Sequence, residues 1–305
     1  MHIYTHDLCQ QHEVPAGHPE RPERLTTLLA HLDACGITQD APLRAASIAS
    51  LKDILRAHPQ HHVDFVQSMA PTDDSGPVPL DPDTWAGLHS VTAAKHAAGA
   101  VCDGIEDLLT GRTNRVFCAV RPPGHHAETD TAMGFCLFNS VAIGALRALD
   151  DDRIQRVAIL DFDVHHGNGS VDIFKDNPHV LVCSSFQYPH YPNRMFDIER
   201  NNIINTPLPA GADGQVFRKL IEDNWLGALE RHQPDLILIS AGFDAHQRDP
   251  LADINLVEDD FAWVTKLIVE AAERFAGGRI LSTLEGGYDL DALCSSVEAH
   301  LRELA

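Results

Sequence analysis

Arg156-Val-Ala-Ile-Leu-Asp-Phe-Asp-Val-His-His-Gly-Asn-Gly169 opens as an apolar run and breaks into charge. The run Val157 to Leu160 reads as a strand buried on both faces. Asp161, Asp163, His165 and His166 then crowd its C-terminal end. Burying carboxylates and imidazoles is costly without a compensating partner, and a metal ion is the simplest one. Asp163 and His165 are two apart, so on an extended segment both side chains point the same way. Asp161 shares that face and sits deeper, as support.

The same transition recurs along the chain. Arg115 to Val120 is a second apolar strand, running into Arg121-Pro-Pro-Gly-His-His-Ala127 and then Met133-Gly-Phe-Cys-Leu-Phe-Asn139. Asp235 to Ser240 is another, ending in Ala-Gly-Phe-Asp244. Arg279 to Leu284 is the last, ending in Glu285-Gly-Gly-Tyr288. In an open parallel sheet the strand C-termini share one edge, and ligands bind in the crevice there. The pattern predicts a single α/β domain over 1–305, a mostly parallel sheet flanked by helices, with the active site at that edge.

Further strands are expected at residues 2–5 and His179 to Ser184, and helices from Leu25 to near Gly36, Ser140 to Leu149 and Leu290 to Leu304. Two short helices are read between Ala46 and Met69, and a long alanine-rich one from Trp85 to Leu109. Ala70 to Pro79 is a loop by composition, long enough to be a candidate binding loop. The Arg and Glu residues between Gly17 and Leu25 read as a solvated helix start.

With 305 residues and 44% hydrophobic content the chain can bury one large core. No run approaches the length of about 18 apolar residues that a membrane span needs, and Met1 to His6 is not a secretory signal. Seven cysteines without a C-x-x-C pair fit a reduced cytoplasm, the expected location. A formal charge of −21 argues against sequence-independent nucleic-acid binding. It accords with a cationic substrate such as a lysine-rich tail or a polyamine, and equally with simple solubility. Nothing in the chain argues against an oligomer.

Asp163, His165 and Asp244 give three oxygen and nitrogen donors with a position left for water, the description of a catalytic zinc site. His125 and His126, from a neighbouring strand end, suit general base and acid roles, with Asp161 and Asn168 to orient them. Tyr288, after two glycines, is placed to meet a developing oxyanion. Phe135, beside Gly134, and Tyr191, beside Pro192, are candidate walls of a narrow apolar channel.

Together, Arg121-Pro-Pro-Gly-His-His-Ala, Gly134-Phe-Cys, Asp161-Phe-Asp-Val-His-His-Gly-Asn-Gly, Ala241-Gly-Phe-Asp-Ala-His and Leu284-Glu-Gly-Gly-Tyr resemble the zinc-dependent histone deacetylase family. The bacterial class II-like members and acetylpolyamine amidohydrolases are the nearest in pattern. The resemblance implies an arginase–deacetylase fold and one catalytic Zn2+ on Asp163, His165 and Asp244. It implies His126 as general base, His125 as its partner imidazole and Tyr288 on the substrate carbonyl. It also implies structural K+, one ion near Asp161, Asp163, His165, Ser184 and Ser185, another near Phe174, Asn177 and Val180. Arg24 matches an arginine lining a cavity beneath the zinc, against the surface role read from its neighbours. Tyr191 falls where a channel phenylalanine is common, Phe186 where relatives often carry histidine, and Leu251 at a gatekeeper position. Asp73 and Asp74 match a rim site that holds the substrate backbone. The implied substrate is an acetylated amine, either a protein lysine or a polyamine.

Two competing readings are distinguishable. An arginase-type hydrolase would bridge two manganese ions with an Asp at the position of Gly167, which has no side chain to ligate. A non-catalytic binding protein on the same fold would lack the tyrosine or a ligand, and both are present.

Overall fold

The computed structural model describes all residues from 1 to 305. Ten strands occur: β1 His2–Thr5, β2 Leu43–Ala45, β3 Val78–Pro79, β4 Trp85–Ala86, β5 Arg115–Cys118, β6 Val157–Asp161, β7 Val180–Gln187, β8 Ile203–Leu208, β9 Leu236–Ala241 and β10 Ile280–Leu284. Eight form one sheet in the order β2-β1-β5-β10-β9-β6-β7-β8, with every pairing parallel. Strands β6, β7, β9 and β10 are buried throughout, which is why each opens as an apolar run rather than an alternating one.

Helices cover both faces. A Cβ on Gly104, in the helix Ser90–Thr110, would touch Val116 of β5 and Leu281 of β10. The next residues along those strands, Phe117 and Ser282, instead meet His300 of the helix Leu290–Leu304. Adjacent strand residues point to opposite faces, so the two helices lie on opposite sides of the sheet. One core cluster of 80 buried residues runs through both layers. No helix is long and apolar enough to cross a membrane.

One expectation needs correction, and several elements had none. The long helix starts at Ser90, not Trp85: Trp85–Ala86 pairs antiparallel with Val78–Pro79 in a separate hairpin. A side chain at the helix start favours this, since the Gly87 N–H donates to Ser90 Oγ at 2.7 Å. Strand β8 and the helices Gly214–Ile221 and Glu258–Phe275 had no counterpart in the sequence reading. The last carries its own signal, with Phe261, Val264, Ile268, Ala271 and Ala272 buried at helical spacing.

The four strands read as ending in polar motifs, β5, β10, β9 and β6, are consecutive neighbours in the sheet. Their C-terminal ends therefore meet at one place.

Candidate active site

At that edge Asp163, His165 and Asp244 offer ligand atoms that all lie within 4.8 Å of one another. His165 Nδ1 stands 3.1 Å from Asp163 Oδ1 and 3.0 Å from Asp244 Oδ2, and all three residues are buried. The backbone fixes the carboxylates from behind. His165 N–H donates to Asp163 Oδ1, Gly286 N–H to Asp163 Oδ2 and Val164 N–H to Asp244 Oδ1, each at 2.9 Å. Gly242 and Gly286 are required here: a Cβ would come within 2.0 Å of Asp163 Oδ2 and 2.1 Å of Asp244 Oδ2 respectively.

The donor set fits a catalytic zinc in residue type and number. Burial penalises a charged His165, yet hydrogen bonds and charge from Asp163 and Asp244 raise its pKa to about 10. The two carboxylates thus draw positive charge between them, which a divalent cation would supply. A second convergence of donors, His31, Cys35 and Glu298, differs in kind. It is half-buried, and Glu298 is already paired with His31 at 2.7 Å and Arg302 at 2.7 Å.

His125 Nδ1 lies 2.9 Å from Asp161 Oδ2, and His126 Nδ1 lies 2.6 Å from Asn168 Oδ1. The two rings are adjacent, centroids 4.0 Å apart and planes tilted by 44°. Their pKa values are pushed in opposite directions. Burial lowers that of His125, but the carboxylates of Asp161 and Asp163 outweigh it and hold the ring well above its ordinary value. Burial lowers that of His126, and the charges on His125 and His165 lower it further. Opposed shifts of this kind separate an acid from a base.

Tyr288 completes the wall. Its N–H donates to Asp249 Oδ2 at 2.7 Å, and its ring lies edge-on to Phe135. The Arg24 guanidinium sits 4.8 Å from the Tyr288 ring centroid. Arg24 is fully buried: Nε donates to Gly287 O and Nη2 to Glu285 O, each at 2.6 Å. The solvated role read from its neighbours is therefore wrong, because Glu20 lies buried beside it and binds both Arg24 and Arg121.

A cavity of about 200 Å³ opens onto this site, lined by His126, Gly134, Phe135, His165, His190, Tyr191, Leu251, Tyr288 and Asp83. The sequence reading thus names most of the lining. Asp73 and Asp74 are exposed and do not reach it. The carboxylate at the wall is Asp83, which accepts from Gly134 N–H at 3.0 Å. A larger open groove of about 500 Å³ lies among the outer helices at Leu226, Trp263 and Arg274, away from the strand ends.

Three buried carboxylates escaped the sequence reading. Glu285 accepts from Gly124 N–H at 2.7 Å and His125 N–H at 3.2 Å, fixing the turn that carries both histidines. Burial raises its pKa to about 7. Asp249 clamps both Tyr288 and Leu251 through their backbone N–H groups. Glu128 accepts from Asn168 Nδ2 at 2.7 Å. Position directly after a strand, in a polar motif, was the available signal for Glu285.

Around the expected potassium positions, Ser184 Oγ accepts from Gly167 N–H at 3.2 Å and Ser185 Oγ donates to Asp161 O at 3.4 Å. The carbonyls of Phe174, Asn177 and Val180 converge on Asn202 Nδ2, at 2.8, 3.0 and 3.0 Å, and share its two N–H groups. Phe186 packs edge-on against His166.

Residues 18–304 match the histone deacetylase domain family. A histone deacetylase-like amidohydrolase of Pseudomonas aeruginosa is 37% identical, over 90% of this chain and 73% of that protein. An uncharacterized protein of Synechocystis is 39% identical, over 99% of this chain and 98% of that one. The crystal structure of the HDA15 HD domain superposes with a TM-score of 0.91 at 32% identity, over 100% of this chain and 90% of that one.

Proposed function

We propose, from the premise that this chain belongs to the histone deacetylase family, that it is a zinc-dependent amidohydrolase removing the acetyl group from N-acetyl-lysine side chains. One observation carries the reading: His126, His165 and Tyr288 line one narrow cavity above a buried cluster of two carboxylates and an imidazole. Asp163, His165 and Asp244 would hold the zinc, one ion per chain. Zinc bound there would lower the pKa of water and polarise the substrate carbonyl.

The remaining work falls to side chains of the chain itself. The acyl-amine enters between Phe135, Tyr191 and Leu251, which exclude water from an apolar linker. His126, held neutral, takes a proton from the attacking water as its oxygen bonds to the carbonyl carbon. The Tyr288 phenol, whose pKa is held well above its ordinary value chiefly by burial, stays protonated and donates to the oxyanion that forms. His125, held protonated beside Asp161, gives its proton to the departing nitrogen as the C–N bond breaks. The products are acetate and a free amine. Structural K+ near Asp161, Ser184 and Ser185 is part of the same reading; at the second expected site the carbonyls of Phe174, Asn177 and Val180 already meet the Asn202 amide.

Turnover of acetyl-lysine peptides and of acetylputrescine by the zinc-loaded chain, alongside Tyr288→Phe, tests it. Hydrolysis of the peptide with a kcat loss of roughly 10²–10³-fold in the variant is expected. Preference for the diamine would move the substrate to the polyamine class. Full activity of the variant would remove Tyr288 from the mechanism. About one zinc per chain, rather than two manganese ions, would set the protein apart from an arginase-type hydrolase.

A further inference from the structure

We propose that Glu128 is a positioning residue: bound to Asn168 on one side and to Arg194 on the other, it orients the Asn168 amide so that His126 carries its proton on Nδ1 and turns a bare Nε2 to the cavity. The inference rests on the reading of His126 as the general base.

The orientation of an amide is assigned from its neighbours, and here they leave one choice. Three acceptors surround the Asn168 nitrogen: Glu128 Oε1 at 2.7 Å, His126 O at 3.3 Å and Met133 Sδ at 3.3 Å. Its oxygen, 2.6 Å from His126 Nδ1, can then only accept. Nδ1 must therefore bear the proton, and a neutral ring has only one to place. Asn168 is fully buried and His126 and Glu128 are 4% exposed, so water does not compete for these bonds.

The direction of the chain depends on the charge of Glu128. As a carboxylate it can only accept, which demands the Asn168 nitrogen. Protonated, it could donate to the amide oxygen instead, and the flipped amide would favour a proton on His126 Nε2. Arg194 Nη2 stands 2.9 Å from Glu128 Oε2 and opposes that change. Burial raises the Glu128 pKa above its ordinary value, so the cation matters; the other charged groups facing it are Asp172, which raises it further, and Lys175, which lowers it. These two are bound to each other at 2.6 Å, which leaves Arg194 as the uncommitted cation. Arg194 follows His190 and Tyr191, both on the cavity wall, so one ion pair ties the wall to the base.

The test uses the zinc-loaded full chain with 15N-labelled histidine, His126 being assigned by difference with His126→Ala. The native protein is expected to show the Nδ1–H form, Glu128→Ala a mixture with the Nε2–H form, and Glu128→Gln, whose Oε1 can still accept, a return toward the native pattern. In kinetics Glu128→Ala should lower kcat roughly 10–100-fold with KM unchanged. Arg194→Ala should move the acidic limb of the kcat/KM profile to higher pH by more than it lowers the plateau. A native Nε2–H form, or Glu128→Ala with native spectrum and kcat, would overturn the proposal, as would equal damage in Glu128→Gln. An unmoved acidic limb would remove Arg194 from it. The spectra do not depend on turnover: the expected tautomers with no hydrolysis of any acyl-amine would sustain the positioning and sink the deacetylase reading.

Discussion

Gly242 and Gly286 show how little space the carboxylate cluster leaves. Neither contributes a donor, yet each leaves free the volume that a carboxylate oxygen of the cluster needs, and a methyl group would sit 2.0 or 2.1 Å from it. Gly286→Ala is therefore expected to displace Asp244 and lower zinc affinity by more than about tenfold, the lower end of the loss seen when groups behind a metal ligand are changed. Competition with a chelator measures it; an affinity equal to the native protein's would mean that the strand end relaxes freely. At this scale the sequence is informative about donors and poor at their surroundings. Asp163, His165 and Asp244 stand out because charge follows an apolar strand. Asp83, Glu128 and Asp249 do not, because each is defined by a backbone N–H or amide from a remote segment: Gly134, Asn168 and Tyr288. Spacing along the chain carries no information about such partners.

Among the elements, the strands were legible and their order was not. A run such as Leu236 to Ala241 announces a buried strand, but nothing within it states that it lies between β10 and β6. The N-terminal segment misleads for a related reason. Glu20, Arg21, Glu23 and Arg24 look like a solvated helix start, and Arg21 and Glu23 are exposed. Glu20 and Arg24 are fully buried because Arg121, 101 residues away from Glu20, completes a network. Arg121 Nε and Nη2 donate to Glu20 Oε1 and Oε2 at 2.6 Å each, and Arg24 Nη1 donates to Oε1 at 2.9 Å. Burial alone would raise the Glu20 pKa, but Arg121, His12 and Arg24 hold it well below the usual carboxylate range. Glu20→Ala would leave two buried guanidiniums facing no carboxylate, a loss of about 3–5 kcal/mol in unfolding free energy. Urea denaturation at neutral pH reads it directly. A loss below about 1 kcal/mol, the level of an exposed ion pair, would show that water reaches these arginines. Because Arg24 also binds Gly287 O and Glu285 O, the same variant should loosen the Tyr288 turn and lower kcat.

The whole molecule is held partly by histidines that must stay neutral. His300 joins three elements: Nδ1 meets Thr265 Oγ1 at 2.6 Å on the helix Glu258–Phe275, and Nε2 meets Ser282 Oγ at 2.9 Å on β10. Thr265 gives its own proton to Phe261 O, so its oxygen accepts from His300 Nδ1–H, and the Ser282 hydroxyl donates to Nε2. His58 is arranged likewise, facing Thr129 O at 3.1 Å and accepting from Asn139 N–H at 2.8 Å. In both rings the accepting nitrogen has no room for a second proton, and burial lowers the pKa from 6.5 to about 3 for His300 and about 4 for His58. Below pH 6.5 the unfolded chain binds protons that the folded one refuses, so stability falls with pH until each folded value is reached. One unit below 6.5, each histidine costs about 1.4 kcal/mol, and together about 3 kcal/mol. Asp249 and Glu285, both raised to about 7, act in the opposite sense over the same range. The native slope is thus a difference, and a comparison isolates the histidine. His300→Gln keeps donor and acceptor atoms without a titrating ring. Its unfolding free energy should fall less steeply than the native protein's between pH 6 and 4.5, by about 1.4 kcal/mol per pH unit. Parallel curves for the two proteins would mean that His300 takes up its proton inside the fold, and that the core around β10 opens to admit it.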